Sequence, residues 1–354
     1  MKRSFLFIRI SLCTLFLTAM ICTFGQAKKC KSPTINIASQ QRAETWAAQR
    51  NPLVVNKLVR VYFHILRSSG GFDDAATVTQ INNEFADLIE DYAAYNICFA
   101  NVGVDYINNS DINYFLNPDS ANDVALLQPY LVPNCINIFY HRALADYGGN
   151  AYDIPNTYCS IDDNNIGLWR TISHEVGHCL GLLHTFETAH GEEYISGTNC
   201  STRGDRVCDT QADPYTESSC FTASNCNYTG NCQDPSGATN YAPPYQNIMS
   251  YWGSEGCTVT HFTTGQFARA NSFLETDAGL LNTVSPSTIT AGPVSIISGY
   301  YFRTARNSIT INPTLNITGP AISSLQSQSV TVPPGFFASP TVNGSTTIKA
   351  TCVY

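Results

Sequence analysis

Residues 174 to 184 read His-Glu-Val-Gly-His-Cys-Leu-Gly-Leu-Leu-His. This run dictates local structure more strictly than any other part of the chain. Positions four apart share one face of an α-helix, so His174 and His178 can present two imidazoles to one metal ion. The third histidine cannot be reached by continuing that helix, because six further residues would carry it about 9 Å along the axis and roughly 120° around it. The chain must therefore turn, and Gly181 can end a helix in the left-handed conformation at no steric cost. Ile172, Val176 and Leu180 form an apolar stripe at helical spacing that should face a core, leaving the histidines on another face. The expected result is a zinc site with ligands His174, His178 and His184 and an open fourth position, the arrangement of a catalytic ion. Glu175 sits where it can take a proton from a metal-bound water without ligating the metal. Cys179 reads as a small buried hydrophobe or a disulfide partner.

A second motif, Asn247-Ile248-Met249-Ser250-Tyr251, follows in a segment rich in Gly, Asn and Ser. It resembles the Met-turn of the metzincin metalloproteases, a tight turn whose methionine, here Met249, underlies three zinc-bound imidazoles. For Tyr251 two readings stay open: a phenol that meets the zinc or the developing oxyanion, or a core tyrosine bonded to backbone. The segment Arg203-Gly204-Asp205-Arg206-Val207-Cys208-Asp209-Thr210, the extension His184-Thr185-Phe186, and Cys257 with Phe262-Thr263-Thr264-Gly265-Gln266 narrow the resemblance to the pappalysin (ulilysin-like) metzincins. It covers residues 53–283. One departure is Gln211, where the family usually has proline, which leaves the path of that loop open.

The resemblance implies an α+β fold of metzincin type, with a mixed twisted sheet, a long helix, a zinc helix and a disulfide-rich irregular lower half. It also implies a metalloendopeptidase that hydrolyses protein or peptide substrates by Glu-assisted attack of a zinc-bound water. Pappalysins that cut beside basic residues carry an acidic residue near the cysteine after the Met-turn, which makes Glu255 a candidate for the specificity pocket. The competing reading is a secreted binding or adhesin protein with a non-catalytic metalloprotease shell. Such shells typically lose the general base or a ligand, and here Glu175 and all three histidines stand.

Residues 1–27 combine a basic start (Lys2, Arg3, Arg9), an apolar run from Ile10 to Ile21 and a small-residue exit, the pattern of a secretory signal peptide. The apolar run is too short for a membrane span, and no other stretch approaches 18 apolar residues. An exported location makes the remaining 12 cysteines a disulfide framework. A net charge of −8, with lysine scarce after residue 57, argues against nucleic acid or an anionic membrane as partner.

Residues 28–52 are polar and read as a prosegment with one short helix from Gln41 to Gln49. Cys30 lies between lysines that lower a thiol's pKa. In several metzincins a prosegment cysteine occupies the open zinc position and silences the zymogen; an ordinary disulfide is the other reading. A cut at Arg50-Asn51 would release it. Strands are expected over 58–66, 97–107 and 136–140, with an edge strand at 149–154, and a long amphipathic helix over 74–95. Residues 187–247 have little periodicity and five cysteines, so disulfides and calcium are candidate stabilisers. Asp205 and Asp209 are either calcium ligands or turn caps. Residues 284–354 form a separate small all-β module. Asn307 to Pro313 recurs 21 residues later as Gln328 to Pro334, which suggests stacked hairpins or rungs. With no histidine or acidic residue after Asp277, its natural role is to bind a surface, a glycan or a protein.

Overall fold

The computed structural model describes residues 30, 34–49, 56–115, 124–215, 219–298, 300–334, 336–341 and 345–350. The signal peptide, the lysines around Cys30 and the Arg50-Asn51 bond lie outside them. Alternation of β-branched and aromatic residues produces a long central strand, β2 (Lys57–Arg67), preceded by the short β1 (Thr34–Ile35). β2 pairs in parallel with β3 (Ile97–Asn108) on one side and β4 (Ile136–His141) on the other. The sheet continues through β7 (Tyr158–Asp162), parallel to β4, and ends at β5 (Gly149–Asn150), antiparallel to β7. The edge strand expected at 149–154 is therefore two short pieces, β5 and β6 (Asp153–Ile154). β6 leaves the sheet and pairs in parallel with β1. The segment expected to be a prosegment thus adds a strand to the rim of the domain.

Of the four longer helices, the second and third pack on this sheet and the first packs on the fourth. α1 (Ile37–Gln49) starts four residues before the expected boundary and buries Ser39, Gln40 and Ala43. α2 (Val78–Ala93) begins at a capping box, in which Thr77 Oγ1 accepts from Gln80 N and Gln80 Oε1 accepts from Thr77 N. Ile81, Leu88 and Tyr92 enter the core as the periodicity requires, whereas Val78 is exposed and two acids, Glu84 and Asp91, are buried. α3 (Thr171–Cys179) carries the histidine pair and is buried along its whole length. α4 (Thr264–Thr276) closes the domain behind it. One apolar core joins Val59, Phe63, Ile138 and Ile161 of the sheet to Ile172, Val176 and Leu180 at α3, and to Phe267, Phe273 and Leu274 of α4.

The region from 187 to 263 contains no long regular element and is cross-linked instead. The disulfides are Cys200–Cys208, Cys220–Cys232 and Cys226–Cys257; Cys98 is also disulfide-bonded. Cys135, Cys159 and Cys179 are free and buried. A cluster around Tyr215 and Trp252 supplies the apolar packing that the loops otherwise lack.

From Thr288 onward the chain winds as a solenoid of three coils. Thr288–Ala291, Ser308–Ile311 and Ser329–Thr331 stack in parallel on one side, with two more three-stranded parallel sheets completing each turn. Hairpins would pair antiparallel, so the 21-residue repeat is one rung per repeat, with Ile309 directly against Val330. Ile309, Ile311, Ile317 and Leu325 fill the interior. The solenoid sits against the outer face of the main sheet. There Phe302 packs on Leu58, Tyr62, Ala100 and Val102, Arg306 donates to Asn56 O at 2.7 Å, and Gln326 donates to Asn101 O at 2.7 Å. Phe302→Ala should lower stability by about 1–2 kcal/mol, less than a fully buried phenylalanine would. Urea unfolding measures it, and an unchanged midpoint would mean that this contact does not hold the two parts together.

Candidate metal centre and cleft

α3 ends where the sequence requires. Gly181 has φ +90°, Gly181 N donates to His178 O, and Leu182 N donates to Gly177 O, both at 2.9 Å. A Cβ at this position would stand 2.1 Å from the Phe273 ring, so glycine is needed for space as well as for conformation. The turn brings His184 back beside the helix. The three Nε2 atoms of His174, His178 and His184 lie 3.1–3.2 Å apart and are buried. His174 Nδ1 faces Ile248 O at 2.7 Å and His178 Nδ1 faces Leu182 O at 2.9 Å. A carbonyl can only accept, so both Nδ1 atoms carry the proton and both Nε2 atoms present lone pairs to the centre. Burial lowers the pKa of all three, that of His174 to about 4, which keeps them neutral and ligating. Three converging lone pairs repel unless a cation lies among them, and a tetrahedral zinc with bonds of about 2.0–2.1 Å sets its nitrogens roughly 3.3–3.4 Å apart. The residues fit that ion.

The Met-turn supports this triangle from below. Met249 is buried, and a Cβ on Gly177 would meet its sulfur at 2.6 Å, so the glycine inside α3 is what lets the methionine approach. Asn247 fixes the turn by accepting from Met249 N and by exchanging hydrogen bonds with Gln266 of the α4 capping box. Support from α2 was not legible in the sequence. There Asp91 accepts from Ser173 Oγ at 2.6 Å and faces Arg170, Tyr92 OH donates to Ser173 O at 3.0 Å, and Glu84 accepts from Gly167 N at 2.7 Å. Burial pushes Glu84 up to about 7 and Asp91 up to about 6. The signal available in the sequence was an acid on an otherwise apolar stripe, which reads equally well as a solvated position.

Glu175 is fully buried, and β5 runs so close that a Cβ on Gly149 would lie 2.3 Å from its carboxyl oxygen. Burial pushes this carboxyl up to about 8. Cys30 reaches the same spot: its sulfur and one ligand atom each of His174 and Glu175 lie within 4.8 Å of one another. Burial first, and then the Glu175 carboxylate, push the thiol well above its usual value, opposite to the effect expected of the neighbouring lysines. Tyr251 lies beside His174 and edge-on to His184, with its hydroxyl on Cys30 O. It therefore faces the cleft.

Beside His184 the cleft opens into a cavity of about 990 Å³ whose lining includes Cys30, Tyr251 and the acids Asp146, Glu187, Glu192 and Asp213. Asp213, unanticipated from sequence, accepts from Thr185 Oγ1 and Trp252 Nε1. Glu255 is not among the lining residues; its carboxylate accepts from Tyr215 OH at 3.2 Å. Asp205 and Asp209, the two calcium or turn-cap candidates, both accept hydrogen bonds. Asp205 accepts from Val207 N and Thr210 Oγ1, and Asp209 from Thr263 Oγ1 and Gly265 N at the start of α4.

Comparison with known proteins agrees with this geometry. Residues 151–275 match the model of a peptidase family described by pregnancy-associated plasma protein-A. An extracellular metalloprotease of Sordaria macrospora is 30% identical over 238 residues, 61% of this chain and 74% of that protein. The chain belongs to the pappalysin family. A Neurospora crassa extracellular metalloprotease is 29% identical over 235 residues, 61% of this chain and 74% of that protein. Among solved structures, a mutant of Tannerella forsythia promirolysin is 20% identical with a TM-score of 0.48, covering 68% of this chain and 89% of that one. As a pappalysin, the chain is a metalloendopeptidase, and the expectation of a mixed α+β domain with an all-β C-terminal part holds.

His190 and His261 stand apart from the triangle, since the described residues form no other three-histidine group. His184→Ala should therefore release zinc, while His190→Ala and His261→Ala retain it. Metal analysis of the three purified variants decides this, and retained stoichiometric zinc in His184→Ala would refute the assignment.

Proposed function

We propose that this pappalysin is a secreted zinc endopeptidase made as a latent precursor, with His174, His178 and His184 holding the ion and Glu175 acting as the base. The observation that carries the reading is the convergence of three neutral imidazole lone pairs beside one buried carboxylate. A bound zinc ion supplies Lewis acidity and makes a water molecule a usable nucleophile near neutral pH. Glu175 takes the proton from the attacking water and passes it to the leaving nitrogen, since its carboxyl is buried beside His174 and its side-chain partner, the Cys30 thiol, belongs to the segment that processing removes. Tyr251, beside His174 and His184, donates its hydroxyl to the oxyanion. β5, the end strand of the sheet, passes directly beside Glu175, where an extended peptide can add to the rim. Export is supported by the leader-like residues 1–27 and by relatives named as extracellular.

Glu175→Ala should keep one equivalent of zinc and lose at least 99% of turnover on casein, about 3 kcal/mol in the barrier. A tenth of wild-type turnover in that variant would remove Glu175 from its role and favour the binding-protein reading.

In the precursor Cys30 occupies the position that substrate needs, and its carbonyl holds the Tyr251 hydroxyl. A thiol next to zinc ionises and becomes a ligand, so the raised pKa of the metal-free thiol is what the ion reverses. Cys30→Ser should give a full-length chain active on a short fluorogenic peptide before any processing. Continued latency would mean that β1, paired to β6, blocks the cleft by itself. The solenoid brings no histidine or acid to the cleft, and we assign it an attachment role.

A further inference from the structure

The prosegment touches the catalytic domain at a second charged point, away from Cys30. Glu44 of α1 places its carboxylate between two guanidiniums: Oε2 is 2.9 Å from Arg206 Nη2 and Oε1 is 3.4 Å from Arg269 Nη1. Arg269 is only 7% exposed, and its Nε donates to Gly181 O at 2.8 Å, on the turn that carries the chain from α3 to His184. Arg269 Nη2, Arg206 Nε and His190 Nε2 are buried with no partner. The pocket thus has more donors than Glu44 can satisfy. Its other facing charges are Asp205, which is already engaged by Val207 N and Thr210 Oγ1, and Glu187 on the side of His190.

A guanidinium this deeply buried needs a counter-charge, and its planar fork fits a carboxylate in two-point fashion. Glu44 comes from a segment that the reading above treats as removable, whereas Arg206 and Arg269 belong to the domain that stays. We propose that Arg206 and Arg269 form a carboxylate-binding site beside the Gly181 turn, filled by Glu44 in the precursor and open to a small carboxylate or an acidic side chain once α1 is withdrawn. Its role as a prosegment anchor rests on the precursor reading; the site itself does not. Because Arg269 holds Gly181 O, occupancy of the site bears directly on the turn that positions His184.

The test uses the full chain and sodium formate. Glu44→Ala opens the space of one carboxylate and should lower the thermal midpoint by several degrees. Formate at tens of millimolar should recover most of that loss in Glu44→Ala, and nothing in the wild type or in Glu44→Ala with Arg269→Gln. Glu44→Gln fills the space without the charge, so it should be destabilised and unresponsive. Equal recovery by sodium chloride at matched ionic strength, or no recovery by formate, would overturn the carboxylate site. Peptidase activity of the same unprocessed Glu44→Ala chain reads the anchor separately and should rise several-fold over wild type. Formate recovery with unchanged latency would keep the site and remove the anchor. A wild-type full chain that is already fully active would instead overturn the precursor reading, leaving the formate result to stand alone.

Discussion

Three unprotonated imidazole nitrogens within 3.2 Å of each other are the constraint on which the rest of the domain depends. The site is buried, so water reaches these nitrogens only from the cleft, and protonating any one would place a charge where burial has already driven the pKa down. Only a cation resolves the arrangement, so the fold must hold the triangle against its own repulsion until the ion arrives. That requirement explains why the surroundings of α3 are stiff. Its backbone and both Nδ1 protons are tied to carbonyls, its underside is packed on Met249, and its exit is fixed by a glycine that tolerates no Cβ.

The stiffness is supplied by polar groups as much as by packing. α2 contributes Asp91 and Tyr92 to Ser173 and Glu84 to the backbone just before α3, so the beginning of the helix is held from one side. The Met-turn and the α4 capping box share Gln266, and Arg269 of the same helix reaches the Gly181 carbonyl, so its end is held from the other. Each of these groups is costly to bury alone and stabilising only in its pair. A single truncation should therefore disturb the histidines from a distance, through helix position and not through contact with the ion.

How much of this was legible follows the range of each signal. His174, Glu175, His178, Gly181 and His184 were readable because helix period and a left-handed glycine are local rules. β2, β3, β4 and α2 were readable from periods of two and 3.6, with boundaries off by a few residues. β7 escaped because Tyr158 to Asp162 is short and flanked by polar residues, and β5 and β6 were merged because a break of two residues leaves the pattern intact. The solenoid's parallel pairing could not be told from hairpins by a repeat alone, since both give alternation at fixed spacing. Interior acids were the main loss: the buried Glu84 and Asp91 and the half-buried Asp213 are indistinguishable in sequence from surface acids until their partners, tens of residues away, are placed. Glu255 lies behind the cavity-lining Tyr215, from whose hydroxyl its carboxylate accepts.

The base is subject to the same dependence as the ligands. With its carboxyl near 8 in the metal-free chain, Glu175 holds its proton at neutral pH and cannot accept another. A divalent charge a few ångströms away favours the carboxylate and draws that value down. In the proposed mechanism Glu175 would therefore become a base only with the ion bound, and the same ion would supply the activated water. The same field acts on Cys30, whose thiol is held up by burial and by the Glu175 carboxylate. In the proposed precursor, a bound cation would stabilise two anions that would otherwise repel each other in a buried site. Removing the sulfur leaves the carboxylate as the only anion beside the ion, and that is the charge state in which it can take a proton from water.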